Sequence, residues 1–539
     1  MARRVCNTSF ILLLILSQVL WVGQSAIAQD EEEPEKRQTT IVVAFTEYEW
    51  WLIRWTDNLT VCQLFVDHPG PPTPEEVLED CEPDVYQQWV LTPPCKNAEQ
   101  GGDAVVECTG YYLHEAGFRS GESEVVVELP PPTVLITLSG CDLSPPENLC
   151  PSLPSLVLTA EEPLPNERIT AVHAILGGKP YTCEGAVCEI PVEPTPLQGM
   201  ILEFWADSSF GDSSERFNGL VRVLDTGVTQ TPDASGWYID VLSSQWRGGP
   251  VESCAQVWEA FPPAGGAPYW LTTPSREGLL ATGQPYHYLA GRLIENGLVD
   301  ASECPGNGLL PNGYANACGI RLARPMVDLW QNQFDPSILS VAEETGLPAQ
   351  LLKNLFAQES QFWPGVFRVA REYGFGQMTD MGADTILLWN ASFFDQFCPL
   401  VLTAEACSRG YLRLKEDQRA ILRGALAIQA NADCQECASG IDLNQAHNSV
   451  SIFANGLRAN CDQIKQTILN ATEQVPGMVS TYEDLWRFTI ANYHAGPGCI
   501  AFGIHTAADR GQPLTWTNVS AYLTQPCQQA IVYVDLITR

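Results

Sequence analysis

Residues 335–364, with the sequence DPSILSVAEETGLPAQLLKNLFAQESQFWP, give the clearest fold signal in this chain of 539 residues. Asp335 supplies an N-cap, and Pro336 occupies the first helical position, which its fixed φ favours. Gly346 ends this helix, and Pro348 begins the next one. The stretch therefore predicts two consecutive helices joined by a short turn.

Helical patterns continue towards the C-terminus. They cover residues 415–432, 450–470 and 481–493. Thr481 and Asp484 have the spacing of a capping box at the start of the last one. Residues 326–539 are therefore predicted to form a mostly α-helical domain.

One carboxylate continues the apolar stripe of the second helix. Leu352, Leu355, Phe356 and Glu359 follow one another at spacings of three and four residues, so they share a helix face. Burial raises the pKa of a carboxyl group, which allows a glutamic acid to stay protonated near neutral pH and donate a proton. Glu359 is a candidate catalytic acid, although the pattern also fits a glutamate that turns to solvent at a fraying helix end.

Upstream of residue 326, the chain is typical of β structure. Alternating, β-branched and aromatic runs at residues 40–55, 61–66 and 125–129 predict an all-β first block, residues 40–131. Three prolines, Pro130 to Pro132, then interrupt the pattern.

A second set of strand-like runs defines the next block, residues 132–225. The runs lie at 134–138, 156–159, 200–205 and 220–224. Strand number and turn spacing predict a small immunoglobulin-like β-sandwich. Residues 226–325 are rich in Gly, Pro and aromatic residues, with a helix predicted at 287–296, and form a connecting region without an assigned role.

The N-terminus predicts export. Arg3 and Arg4 precede an apolar run from Phe10 to Val22, and small residues end at Ala28. This is the pattern of a signal peptide, residues 1–28, followed by an acidic linker at 29–39. An uncleaved anchor is the alternative, but the run is shorter than the roughly 18 residues that a spanning helix needs. No later segment predicts a membrane span.

Composition excludes some classes of partner and favours disulfides. The formal net charge of −35 argues against binding to nucleic acid or to anionic membranes, because both require a basic surface. The 19 cysteines include Cys6 of the signal peptide, which leaves an even number for an oxidising compartment. Close pairs predict local disulfides: Cys141 with Cys150, and Cys183 with Cys188. The lone C-x-x-C, Cys434 to Cys437, lacks a second matching pair, so a disulfide is favoured over zinc.

Three ordered motifs carry a resemblance to a known family. Residues 359–362, ESQF, followed by Pro364, resemble the Glu-Ser-x-Phe-x-Pro motif of the lytic transglycosylase and goose-type lysozyme family. Residues 374–378, GFGQM, resemble its Gly-Leu-Met-Gln segment, and residues 491–498, ANYHAGPG, resemble its Ala-x-Tyr-Asn-Ala-Gly-Pro-Gly segment. The resemblance covers residues 326–539 only and implies a lysozyme-like α+β fold for that domain.

The resemblance also implies an activity and a set of site residues. Glu359 would be the single catalytic acid and base for cutting the β-1,4 bond between N-acetylmuramic acid and N-acetylglucosamine, with a 1,6-anhydromuramyl product. No metal or organic cofactor is implied. The positions expected to bind the glycan strand are Ser360, Gln377, Met378, Tyr493 and His494.

Two residues depart from the family's pattern. Gly376 stands where methionine is common, and His494 replaces the usual asparagine beside Tyr493. No second carboxylate lies in a matching motif: Asp380 stands where a helix would start, so capping is its expected role, and Asp384 is close by.

Three alternatives to the lytic transglycosylase stay open at this point, one of them a domain in which Glu359 acts on another polymer, such as chitin. A lysozyme-like hydrolase would cut the same bond with water in place of the 6-hydroxyl. A non-catalytic secreted surface protein would use a degenerate lysozyme-like scaffold, with β domains that bind glycan or protein. In each case the protein is expected outside the cytoplasm, either secreted or associated with a bacterial cell envelope. The β domains are expected to contact the wall or the cell surface.

Overall fold

The computed structural model describes residues 37–93, 108–141, 149–231, 234–248, 253–366 and 372–539. The predicted signal peptide and all but the last residues of the acidic linker lie outside these ranges. The chain divides into two compact units, Met1–Glu128 and Leu129–Arg539. No helix among the described residues has the length and apolarity needed to span a bilayer.

The first unit contains a three-stranded antiparallel sheet in the order β2-β1-β3. The strands are β1 Gln38–Arg54, β2 Thr60–Val66 and β3 Tyr111–Glu128. Trp50, Leu52 and Leu64 form its small core together with Val77, and a disulfide joins Cys62 of β2 to Cys81.

The first block is rich in antiparallel strands, as predicted, but it is not all-β. Two helices follow β2, namely α1 Pro74–Asp80 and α2 Pro83–Val90. Thr73 and Glu76 form a capping box at the start of α1, and a proline occupies the first turn of each helix. These start signals lie in the TPEE stretch at residues 73–76 and at Pro83, and they outweigh the β pattern around them.

The second unit begins with a β-sandwich. Its strands are β4 Thr133–Ser139, β5 Leu149–Cys150, β6 Ser155–Glu161, β7 Ile169–Leu176, β8 Lys179–Glu184, β9 Val187–Pro191, β10 Met200–Ser208, β11 Phe217–Thr231 and β12 Ala234–Leu242. One sheet has the order β5-β12-β11-β10-β7-β8, and the other has the order β4-β6-β9. Alternate residues of both sheets, among them Ile136, Leu158, Leu202 and Phe204, are fully buried in a shared core.

The sandwich extends beyond the predicted limit at residue 225. That position lies inside β11, and β12 pairs with β11 in antiparallel register as far as Leu242. Val221 and Val223 of β11 share the sandwich core with Ile239 and Val241 of β12, so the two strands belong to one packing unit.

The C-terminal half is helical. Its helices are α3 Ser253–Trp258, α4 His287–Glu295, α5 Ala317–Asn332, α6 Asp335–Thr345, α7 Ala349–Ser360, α8 Asp380–Trp389, α9 Ala391–Phe397, α10 Ala404–Ser408, α11 Glu416–Ala430, α12 Leu443–Thr472, α13 Pro476–Val479, α14 Tyr482–Ala495, α15 Pro497–Asp509, α16 Trp516–Ser520 and α17 Gln529–Ile537. The long, largely buried helix α12 contacts α3, α6, α8, α14 and α15.

The region expected to connect the domains is part of the helical core. The predicted boundary between residues 325 and 326 falls inside α5, and one continuous buried cluster extends from Leu242 to Ile537. Cys254 of α3 is bonded to Cys461 of α12, and the Trp258 indole donates a hydrogen bond of 3.0 Å to the Cys461 carbonyl. The helical domain therefore includes α3 to α5.

Asp335 has a different role from the predicted N-cap. It is the first residue of α6, and its carboxylate lies 2.7 Å from the ammonium of Lys353 on α7. Lys353 is fully buried and also donates to Asn332. This buried ion pair joins the two helices that the sequence predicted, and it compensates two charges that would be costly if left alone.

The predicted disulfides are confirmed. Eight lie among the described residues: Cys62–Cys81, Cys141–Cys150, Cys183–Cys188, Cys254–Cys461, Cys304–Cys318, Cys398–Cys407, Cys434–Cys437 and Cys499–Cys527. The C-x-x-C is therefore a disulfide. Disulfides in this number are typical of proteins that fold outside the reducing cytosol.

Replacing Cys254 and Cys461 together by serine is expected to lower the free energy of unfolding by about 2–5 kcal/mol, because their disulfide closes a loop with a sequence separation of 207. Denaturant unfolding followed by tryptophan fluorescence measures the loss. The matched control removes Cys434 and Cys437, which are three residues apart, and it should cost clearly less. Equal losses from the two pairs would contradict the prediction.

Candidate active site

The candidate acid lies in the last turn of α7. Glu359 precedes Ser360, the final residue of the helix, and Gln361 and Phe362 then adopt left-handed backbone conformations with φ of 51° and 63°. This reversal buries the Phe362 ring completely beneath the helix end. The carboxyl group therefore sits at the negative end of the helix dipole, which disfavours its charged form.

Contacts of the carboxyl group shift its acidity. The pKa of Glu359 is raised to about 7: burial raises it most, the hydrogen bond donated by the Tyr533 hydroxyl lowers it, and the nearby charge of Glu372 raises it. The residue as a whole retains partial exposure, so its carboxyl group is desolvated by its neighbours without being sealed from the surface. Near neutral pH, both protonation states of Glu359 are populated.

Tyr533 reaches the carboxyl group from the C-terminal helix α17. Burial raises the pKa of Tyr533 and of Tyr493 well above that of a free phenol, and the charge of Glu359 adds to this effect. Both hydroxyls therefore remain donors. The imidazole of His494 stacks on the Tyr533 ring with a centroid distance of 4.0 Å and an interplanar angle of 11°.

The segment that resembles the second motif forms a tight turn opposite α7. Tyr373 and Met378 pair through their backbones, with N–O distances of 3.1 and 2.9 Å, and enclose residues 374–377. Gln377 has a φ of 52°, and its amide nitrogen donates to the Gly374 carbonyl at 2.7 Å. Its amide oxygen is buried and has no hydrogen-bond partner among the described residues.

A hydrogen bond connects the second and third motifs. The Tyr493 hydroxyl donates to the Gly376 carbonyl at 2.5 Å. A Cβ atom on Gly376 would lie 2.5 Å from a ring carbon of Phe453 and closer still to the Tyr493 hydroxyl. The space of a side chain at position 376 is therefore already filled by Phe453 of α12.

Asn492, the neighbour of Tyr493, anchors α14 to α12. Its amide donates to Asn460 Oδ1 and Gln463 Oε1, each at 2.7 Å, and all three residues are buried. A buried network of this kind fixes the rotation of α14. It thereby sets the direction from which Tyr493 approaches the site.

The residues expected at the site occupy different environments. Glu359, Gln377 and Tyr493 are partly exposed; the charge of Glu359 acts on Tyr493, whose hydroxyl bonds the turn that carries Gln377. Ser360 is fully buried and bonded to the carbonyl of Phe356 on its own helix, and Met378 is 4% exposed, so neither presents its side chain to solvent. His494 is exposed, and burial of its ring against Tyr533 lowers the pKa of the imidazole.

Sequence reasoning missed three residues of the site. Tyr533 lies 174 residues from Glu359, and only its apolar helix context, AIVYVDL, marks it. Glu372 lies two residues before the second motif and belongs to no pattern. Phe453 was part of a predicted helix, without a reason to assign it to the site.

The two aspartates near the second motif are not part of this arrangement. Asp380 is exposed at the first position of α8, whose N-cap is Thr379. Asp384 binds the Arg423 guanidinium at 3.0 Å and accepts a hydrogen bond from Tyr411. Over the described ranges, no three His, Cys, Asp or Glu side chains cluster as a metal site would require.

No protein-family model matches the chain, and no curated protein matches it.

Replacing Gly376 by alanine is expected to lower the free energy of unfolding by about 1–3 kcal/mol, because the added methyl group collides with the Phe453 ring and displaces the Tyr493 hydroxyl. Gly382→Ala is the matched control. A Cβ on Gly382, in the first turn of α8, would lie 3.6 Å from Met378 and Thr379, which is ordinary contact, so alanine should stabilise the helix by about 0.5–1 kcal/mol. Urea unfolding of both variants measures the difference, and an unchanged midpoint for Gly376→Ala would refute the packing argument.

Proposed function

We propose that the chain is a peptidoglycan lytic transglycosylase that cuts the β-1,4 bond between N-acetylmuramic acid and N-acetylglucosamine. One observation carries the proposal: Glu359 is a desolvated carboxyl group with a pKa of about 7, held by the hydroxyl of Tyr533. A general acid works best when its pKa lies near the working pH. The three motifs that resemble the family support the substrate class.

The proposed reaction uses Glu359 twice. Its protonated form donates a proton to the glycosidic oxygen as the bond between that oxygen and C1 of the muramyl residue breaks. The resulting carboxylate accepts the proton of the muramyl 6-hydroxyl as O6 bonds to C1, which closes the 1,6-anhydro ring. Water is not consumed, and Glu359 returns to its acid form.

Neighbouring residues would position the sugar and stabilise the carboxylate form of Glu359. Tyr533 donates to the carboxylate, so it stabilises the form of Glu359 that follows the first proton transfer. The buried amide oxygen of Gln377 has no partner among the described residues and would accept a hydrogen bond from a sugar hydroxyl or acetamido group. Tyr493 already donates to Gly376, so its contribution would be to hold the turn in place.

A hydrolase is the second candidate, and Glu372 is the observation that favours it. This carboxylate is close enough to raise the pKa of Glu359. A second carboxylate is what an ordinary glycosidase uses to activate water or to form a glycosyl intermediate. The two reactions differ in their product, because the anhydro sugar is lighter than the reducing sugar by one water.

We extend the proposal to fold and location. The helical half, with its short turn opposite the acid-bearing helix, would be a lysozyme-like domain, and the two-layer sandwich would be immunoglobulin-like. The disulfides and the predicted signal peptide support secretion, and the proposed substrate would place the protein at a bacterial cell envelope. The β domains would then contact the wall or the cell surface, which is an argument from fold alone.

Purified peptidoglycan treated with the chain lacking residues 1–28 is expected to release anhydromuramyl products, detected by mass spectrometry. Glu359→Gln should reduce their rate of release by about 10²–10⁴, since it removes the proton donor. Glu372→Gln should leave the product mass unchanged. Reducing-end products that disappear in Glu372→Gln would establish the hydrolase, and release that does not depend on Glu359 would refute both reactions.

The pH dependence of cleavage tests the role of Tyr533. Activity should fall as the pH rises through about 7, where Glu359 loses its proton. In Tyr533→Phe this basic limb should move to higher pH, because the lost hydrogen bond had lowered the pKa of Glu359. Tyr493→Phe is the control, since that hydroxyl bonds Gly376 instead. If the activity of Tyr533→Phe falls at the same pH as that of the unchanged protein, or at a lower pH, the role assigned to Tyr533 is refuted.

A further inference from the structure

A concave site apart from Glu359 lies between α4, the loop before α5 and the residues just after the first motif. Its volume is about 540 Å³, and its lining includes Tyr288, Arg292, Glu295, Asn312, Tyr314 and Val366. Concavities of this size accommodate small ligands. All but Val366 come from residues 226–325, a region without a role in the proposed cleavage.

The end of α7 fixes this site in place. The side-chain oxygen of Gln361, two residues after Glu359, accepts hydrogen bonds from the backbone amides of Tyr288 and Leu289 at 2.8 and 3.3 Å. These are amides of the first turn of α4, so the start of the helix is tied to the end of the first motif. The position of the concave site is thus coupled to the helix that carries the proposed acid.

A stack of planar groups holds the charged wall of the site. The Arg292 guanidinium lies over the Trp363 ring at 4.7 Å, and Trp363 stacks on Trp330 with a centroid distance of 5.6 Å. The Trp330 indole donates to the Phe362 carbonyl at 2.9 Å. Arg292 is therefore held in a defined orientation before any ligand arrives, which reduces the entropic cost of binding.

The polar groups of the site suit a neutral ligand. Arg292 and Glu295 form an ion pair of 3.0 Å, and each side chain is about one third exposed, at 32% and 34%. The pair presents donors and acceptors side by side without net charge, as hydroxyl and acetamido groups require. Arg292 Nε is a buried donor that has no partner among the described residues.

Aromatic surface completes the match to a saccharide. Tyr288 and Tyr314 meet edge to face, with ring centroids 5.8 Å apart, and form an amphipathic wall. Such rings contact the apolar faces of sugar rings while their hydroxyls stay near polar groups. The net charge of −35 on the chain disfavours an anionic ligand in addition.

We propose that this concave site is an accessory saccharide site that binds N-acetylated sugar residues of a glycan strand. This proposal rests on the proposed function in one respect: the glycan strand that Glu359 would cut is taken as the source of the sugar. Through Gln361, strand binding would be linked to the position of the helix end that carries Glu359. Residues 226–325 would then contribute substrate recognition.

Hydrogen–deuterium exchange tests the site directly. The chain without residues 1–28, carrying Glu359→Gln, is mixed with the N-acetylglucosamine trisaccharide, which lacks peptide. We expect slower exchange in peptides covering 287–295 and 309–316, and separately at the turn 372–378. In Tyr314→Ala and in the isosteric Glu295→Gln, protection at 287–295 and 309–316 should require about ten times more trisaccharide. Protection at the turn 372–378 should be unchanged in both variants. Tyr269→Ala, in a different surface concavity, is the control and should change neither.

The outcomes separate this proposal from the proposed function. Protection at 372–378 without protection at 287–316 overturns the accessory site and leaves the cleavage reaction standing. Protection at 287–316 that both variants weaken, in a chain without Glu359-dependent products, supports the site and overturns the reaction. Three results would each refute the saccharide assignment. Neither variant weakens protection at 287–316, or a wall tetrapeptide produces that protection instead of the trisaccharide, or the trisaccharide protects neither 287–316 nor the turn.

Discussion

Removal of the Glu359 carboxyl group from water is the constraint on which the rest of the site depends. Raising its pKa from the usual 4.5 to about 7 corresponds to roughly 3 kcal/mol against the charged form. The surrounding structure must supply that free energy. It does so by burying the carboxyl group, which outweighs the opposing hydrogen bond that Tyr533 of α17 donates to the carboxylate.

An aromatic core beneath α7 supports this desolvated position. Phe356 stacks on Phe375 at 5.2 Å and meets Phe453 edge to face at 6.0 Å, and Phe362 packs against Phe375 at 6.2 Å. Rings in these geometries leave little freedom for the backbone that they surround. The departure at Gly376 follows from the same packing, because Phe453 fills the volume that a side chain there would occupy.

The helical domain is larger than its motifs suggest. Trp258 lies 5.0 Å from Trp486 in an edge-to-face contact, and a disulfide ties Cys254 to the central helix α12. A fragment that began at residue 326 would lose this disulfide and expose the buried surface of α12 against which α3 packs. Residues before 326 thus belong to the fold that holds Glu359. The accessory site proposed on α4 would also give them a role in substrate recognition.

The sequence by itself determined the local features. Proline, glycine and apolar spacing predicted α4, α6, α11 and α14 within a few residues, and most of α12, which begins at Leu443 instead of residue 450. Alternation predicted four of the nine described strands of the sandwich, and close cysteine spacing predicted the short disulfides. The placement of Glu359 on an apolar stripe was also local, because helical periodicity alone puts it there.

Only the tertiary structure decided which distant groups meet. The partner of Glu359 is Tyr533, and the partner of Cys254 is Cys461, 207 residues away; neither follows from any spacing in the chain. Burial of Ser360 and stacking of His494 on Tyr533 likewise depend on how helices pack. Periodicity is set by the geometry of one element, whereas desolvation and hydrogen-bond partners are set by the elements packed against it, and those contacts form only when the whole core closes.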